Sequence, residues 1–233
     1  MPATIEDYAN IARSVYAPGK GAAVAFAQQW GWEKSDFRAG MFTSGFQGAV
    51  YFKVGSAPRE YVVAFKGSKS PTSNTGISDW LVNDVLIGLR QVPSQFHQAR
   101  KLMEQTVHKV GQGASITLVG HSLGGALVQC VAAHMLAATG ANYRFVNFNG
   151  PGMKRNVEKP LKHLPVRGLN YICSTDPIGN HPGDTGRSHF GTFYGAQTTV
   201  SVGSSHGMGG VFASFGENSN DNVAQSTLDL LGI

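Results

Sequence analysis

Apolar positions along the chain switch between helical and strand spacing several times. Ile5, Tyr8, Ala9, Ile11, Ala12 and Val15 in residues 4–16, and Ala22, Ala23, Phe26, Ala27 and Trp30 in residues 20–30, fall near helical spacing and predict two packing helices separated by Pro18-Gly19. Residues 48–54 and 60–65 predict two strands, joined through Gly55, Ser56, Ala57 and Pro58 as an antiparallel hairpin. Residues 94–110 carry Phe96, Ala99, Leu102, Met103, Val107 and Val110 on one side of a predicted helix that stops at Gly111 and Gly113.

Ile116 to Val119 then reads as a buried strand, and the stretch from Ala126 to Ala137 as a mostly apolar helix. Tyr143 to Phe148 predicts another strand, ended by Asn149-Gly150-Pro151-Gly152, and Leu169 to Cys173 the next, ended by Ser174-Thr175-Asp176-Pro177. Strands alternating with helices and ending in polar loops give an α/β fold. Its central sheet is predominantly parallel and flanked by helices, with an antiparallel hairpin near the N-terminus.

Composition narrows this picture. The 233 residues suffice for one sizeable core and contain no linker, so residues 1–233 are expected to form a single domain. The 30 glycines follow no period, which predicts many tight turns and no fibrous repeat. A formal charge of +5 is spread without a dense basic run. That argues against nucleic acid as a partner and is compatible with approach to an anionic membrane surface.

Cys130 and Cys173 read as buried small hydrophobes and not as a disulfide or metal pair, and His97, His108 and His134 lack zinc spacing. No signal peptide or transmembrane helix is legible. The compartment stays open between cytoplasmic, secreted in mature form, and exported without a cleaved signal.

The chemistry enters at Gly120-His121-Ser122-Leu123-Gly124-Gly125. A Gly-x-Ser-x-Gly run between a strand and a long helix is the context of a nucleophile elbow, a strained turn that exposes a serine hydroxyl while small neighbours let the chain pass other elements closely. Ser122 is therefore the candidate nucleophile, and the helix behind it points backbone N–H groups at charge developing beside it.

Such a serine needs a histidine to take its proton and an acid to orient that histidine. Asp176, just past a strand, is the candidate acid, with Asp184 in a Gly-rich turn as competitor. His206, within Gly203-Ser204-Ser205-His206-Gly207, is the candidate base, with His181 and His189 as downstream alternatives. His121 reads as a structural or hydrogen-bonding residue. Oxyanion donors are expected from the N–H of Leu123 and from Ser68, which follows Lys66-Gly67 at the end of the second hairpin strand and reads otherwise as a turn residue.

Phe65-Lys66-Gly67-Ser68, Ser78-Asp79-Trp80-Leu81-Val82-Asn83-Asp84, Gly120 to Ala126, Asn149-Gly150-Pro151 and Thr175-Asp176-Pro177 together resemble the ordered motifs of the class 3 lipases, the α/β-hydrolase family of fungal triacylglycerol lipases with bacterial and plant relatives. The resemblance runs over roughly residues 60–210. It implies an α/β-hydrolase fold, Ser122, Asp176 and His206 as triad, Ser68 as oxyanion donor, and a lid across Lys69 to Ile77. Lys66 stands where that family usually has arginine, and the lid stretch is polar, with Ile77 as its apolar anchor.

The expected activity is hydrolysis of carboxylic ester bonds in lipids, as lipase or phospholipase, with no cofactor and with transient contact at a membrane or micelle surface. Leu86, Ile87, Leu89, Val92, Phe190, Phe193, Met208 and Phe212 are candidates to line an acyl groove. A small-ester esterase, an amidase or peptidase with the same triad, and a noncatalytic binder on the same fold are the alternatives. Bacterial members delivered into rival cells bring a bacterial immunity protein into view as a partner.

Overall fold

Among the described residues, seven strands form one sheet in the order β1-β2-β3-β4-β5-β6-β9. They are β1 (Trp32–Ala39), β2 (Gln47–Lys53), β3 (Glu60–Phe65), β4 (Ser115–His121), β5 (Arg144–Phe148), β6 (Gly168–Cys173) and β9 (Ala196–Val200). The first three pair antiparallel, and every pairing from β3 to β9 is parallel. The short strands β7 (Arg187–Ser188) and β8 (Gly191–Thr192) pair separately. This computed structural model describes residues 3–16, 28, 31–39, 46–67, 79–111, 113–152, 164–176, 178–179, 187–188, 191–194, 196–200, 206–215, 225–226 and 228–229.

The central strands β3 to β6 are buried on both faces, and they show it residue by residue. Val62 and Ala64 of β3, Val119 of β4, Val146 and Phe148 of β5, and Leu169, Tyr171 and Cys173 of β6 enter the core on the side of helix α1 (Ile5–Ser14). Val63, Phe65, Leu118 and Phe145, one position out of step, enter the core on the side of α2 (Asp79–Val110) and α3 (Leu123–Thr139). This is the alternation that a two-sided parallel sheet requires. Helix α4 (Met208–Ser214) lies on the α1 side, where Val211 joins the core.

Helix α1 opens with a capping box. Thr4 Oγ1 accepts the Asp7 N–H at 3.1 Å, and Asp7 Oδ2 accepts the Thr4 N–H at 3.0 Å. Helix α3 is buried over most of its circumference, as its apolar run predicts for a helix beneath a central sheet. The two cysteines lie in the cores on opposite faces of the sheet as buried thiols not joined in a disulfide.

The antiparallel hairpin and the central parallel strands lie where the hydrophobic pattern puts them. Three elements depart from the expectation. Helix α2 begins at Asp79 and continues through Pro93 instead of starting after it. A proline forfeits one N–H bond and strains the preceding turn, and the helix-compatible run on its N-terminal side carries the helix through that cost. Strands β1 and β9 are additional and occupy the two edges. The predicted helix at 20–30 falls almost wholly outside the described residues.

Candidate active site

Ser122 follows the last residue of β4 and precedes the first of α3, with φ 57° and ψ −126°. The left-handed φ is the strain of a sharp strand-to-helix turn, and it aims the hydroxyl away from both elements. Two glycines make the turn possible. A β-carbon on Gly120 would run into the backbone of Gly124, and one on Gly124 into the carbonyl of Phe65 at the end of β3. The Ser122 N–H donates to the carbonyl of Phe148 at 3.1 Å, fastening the turn to the end of β5.

His206 and Asp176 meet at this serine. His206 Nε2 lies 2.7 Å from Ser122 Oγ, and His206 Nδ1 lies 2.9 Å from Asp176 Oδ1. Asp176 is held in turn by the Ile178 N–H at 3.0 Å on Oδ1 and the Gly179 N–H at 2.9 Å on Oδ2. All three residues are buried. With Nδ1–H donated to the carboxylate, Nε2 is left as acceptor for the serine proton, which is the tautomer a general base needs.

His121 lies two residues past Val119 on β4, so it shares that residue's face and enters the α1 side of the sheet. Its Nε2–H donates to the backbone carbonyl of His206 at 2.7 Å, and its Nδ1 accepts from the Tyr16 hydroxyl at 3.0 Å. Burial, with the neighbouring His206, pushes the His121 imidazole from its ordinary 6.5 down to about 3, so it is neutral in the folded protein.

The Tyr16 oxygen also accepts the Gly67 N–H at 2.9 Å. Burial holds that phenol above its usual range, as a group that must stay neutral to donate. Lys66 Nζ sits 5.6 Å from the Tyr16 ring centroid, backing the same loop. A β-carbon at Gly67 would lie 3.1 Å from Ser122 Cβ, so the chain at Gly67 passes directly beside the serine.

On the α3 side, three buried amides hold the loops behind the elbow. Gln129 donates to the carbonyls of Gly125 at 3.1 Å and Pro151 at 3.0 Å, and accepts the Tyr194 N–H at 3.2 Å. Asn147 accepts the Gly150 N–H at 2.9 Å and donates to Asn170 Oδ1 at 2.9 Å, and Asn170 donates to the Tyr194 carbonyl at 2.6 Å. These three amides are satisfied within the core, as most buried polar groups are, and the same bonds fix where the chain leaves β5.

The structure thus brings Ser122, Asp176 and His206 into one hydrogen-bonded line and places Leu123 at the first position of α3, where its N–H has no carbonyl within the helix to meet. Ser68, the lid stretch 69–77, Asp184, His181, His189 and Phe190 lie outside the described residues. Positions 86, 87, 89 and 92 fall within α2, while Phe193 is buried and Met208 and Phe212 pack against the α1-side core.

Among the described residues, no group of three His, Cys, Asp or Glu side chains is placed to hold a metal ion, and no helix is long and apolar enough to cross a membrane. Tyr16, Gln129, Asn147, Asn149 and Asn170 contribute to the site without having been singled out for it in the sequence. The isolated amides inside the apolar runs of β5, β6 and α3 were the available signal.

The model of a phospholipase-like family, the Tle-like phospholipase domain, matches residues 7–167, a stretch that includes the elbow and stops short of Asp176 and His206. No curated protein matches the chain. Lipase II from Rhizopus niveus is similar in structure, with a TM-score of 0.58 and 17% identity over 86% of this chain and 81% of its own. A lipase from Rhizopus microsporus var. chinensis gives 0.55 and 13% over 88% and 80%. A triacylglycerol lipase from Penicillium expansum gives 0.55 and 17% over 84% and 78%. At these identities the likeness is one of fold.

Proposed function

Since the chain belongs to the Tle-like phospholipase family, we propose that it hydrolyses carboxylic ester bonds of lipids, phospholipids foremost, through a covalent acyl-serine intermediate. The observation that carries this reading is the line Ser122 Oγ, His206 Nε2, His206 Nδ1, Asp176 Oδ1, with links of 2.7 and 2.9 Å.

His206 takes the Ser122 proton as the serine oxygen attacks the acyl carbonyl, and Asp176 stabilises the imidazolium that forms. The tetrahedral intermediate collapses when His206 returns that proton to the leaving alcohol, which departs as the carbon–oxygen bond of the ester breaks. Water, deprotonated by the same histidine, then attacks the acyl-serine and frees the fatty acid. Each step uses side chains of this protein and water.

Negative charge on the carbonyl oxygen falls to the Leu123 N–H and to Ser68. What supports them is the position of Leu123 at the start of α3 and the passage of Gly67 beside Ser122. A substrate held in a bilayer or micelle also entails transient contact with that surface, which a net charge of +5 favours when the surface is anionic.

The test is release of fatty acid and lysolipid from dispersed phospholipid and triglyceride, identified by mass, for the wild type beside Ser122→Ala. Product from the wild type, falling at least about a thousandfold in the variant, is expected. Turnover confined to short nitrophenyl esters would replace the lipid reading with a small-ester esterase, and equal turnover in both proteins would remove Ser122 from the mechanism.

A further inference from the structure

We propose that Asn149 is a positioning residue whose side chain ties the segment carrying the base to the strand end carrying the acid; the proposal rests on the hydrolase reading above. Asn149 is the first residue past β5, fully buried, with φ 49°. Glycine adopts that conformation freely and asparagine at some cost, so a side chain retained there calls for something it does.

Both ends of the amide are engaged. Asn149 Oδ1 accepts the N–H of Cys173 at 2.8 Å, and Cys173, the last residue of β6, accepts the Asp176 N–H at 3.0 Å. Asn149 Nδ2 donates to the backbone carbonyl of His206 at 3.3 Å, the same oxygen that takes the His121 Nε2–H at 2.7 Å. Two side chains from neighbouring parts of the sheet therefore fix the main chain of the base.

The backbone extends the connection to the nucleophile. The Asn149 N–H donates to the Tyr171 carbonyl at 3.0 Å, and the carbonyl of the preceding Phe148 accepts the Ser122 N–H at 3.1 Å. Nucleophile, acid and base reach the site on three separate stretches of chain, and Asn149 stands where all three are cross-linked. Its side-chain bonds run to Cys173 and to the His206 main chain and not to the Ser122 hydroxyl, the imidazole or the carboxylate. Its effect is to hold the His206 imidazole in register with Ser122, and a displacement of about 1 Å in such a geometry costs on the order of a hundredfold in rate.

Asn149→Gly suits the backbone and removes the amide, while Asn149→Ala removes it and keeps the backbone strain. For the wild type and both variants the measurements are the rate of inactivation by a fluorophosphonate, the fraction of sites it titrates, and kcat and KM on a soluble nitrophenyl ester. Inactivation and kcat per titrated site are expected to fall about ten- to a hundredfold in both variants, with KM within about twofold and the titratable fraction unchanged.

Wild-type rates per titrated site in either variant, or a loss confined to the titratable fraction, would overturn the positioning role and leave the hydrolase reading standing. A folded wild type that the reagent does not modify would overturn the hydrolase reading, and this proposal with it.

Discussion

His121 adjoins the nucleophile in sequence and takes no part in the proton relay. It works as a neutral linker, and neutrality is what its place demands: Nε2–H bonds the His206 carbonyl while unprotonated Nδ1 accepts from Tyr16. Protonation would put a second donor opposite the Tyr16 hydroxyl and a charge in a buried site. The folded protein resists it down to about 3, whereas the unfolded chain takes up the proton near 6.5.

The unfolded state thus binds the extra proton in between, and stability falls as the pH falls across that window. The contribution approaches about 1.4 kcal/mol per pH unit and is absent above the upper value. Urea midpoints measured from pH 7 down to pH 4 are expected to decline less steeply in His121→Gln, which keeps a donor and cannot titrate. Identical slopes in the two proteins would show that His121 is not the group responsible.

At the scale of elements, the site depends on how closely α3 approaches the end of β3. Gly124 sets that distance, because its missing side chain lets the helix lie against the Phe65 carbonyl, which is backbone and cannot swing aside. Gly124→Ala is expected to cost about 1–3 kcal/mol in chemical denaturation and to reduce ester turnover by parting the elbow from the loop at Gly67. A variant with the wild-type midpoint and turnover would mean that the packing there is looser than the backbone separation indicates.

The elements legible beforehand are those whose burial on two faces forces a mostly apolar run, such as Ile116 to Val119 and Tyr143 to Phe148. Strands β1, with Glu33, Lys34, Asp36 and Arg38, and β9, with Gln197, Thr198 and Thr199, lack such a run. As edge strands they each pair with a single neighbour in the sheet. The extension of α2 through Pro93 escaped for the opposite reason, since a strong local signal was overridden by the run of helix on both sides.

Across the whole molecule, Ser122 announces itself in six consecutive residues, and Asp176 and His206 are approachable because each lies in a loop after a strand or beside small residues. Asn149, Tyr16 and Gln129 could not be singled out that way. Their partners are distant in sequence, and only the closed sheet brings them within hydrogen-bond range. If residues 1–233 form one domain, as we propose, that closure is cooperative. Ellipticity and esterase turnover are then expected to be lost at the same urea concentration, and a loss of ellipticity in two separated steps would divide the chain into independent units.

The order of the strands also sets a timetable. Ser122 emerges at the end of β4, in the middle of the sheet, and Asp176 follows β6, but the imidazole that completes the relay arrives only after β9 has closed the far edge. A chain growing from its N-terminus therefore carries an idle Ser122 hydroxyl until His206 has been added, more than eighty residues later.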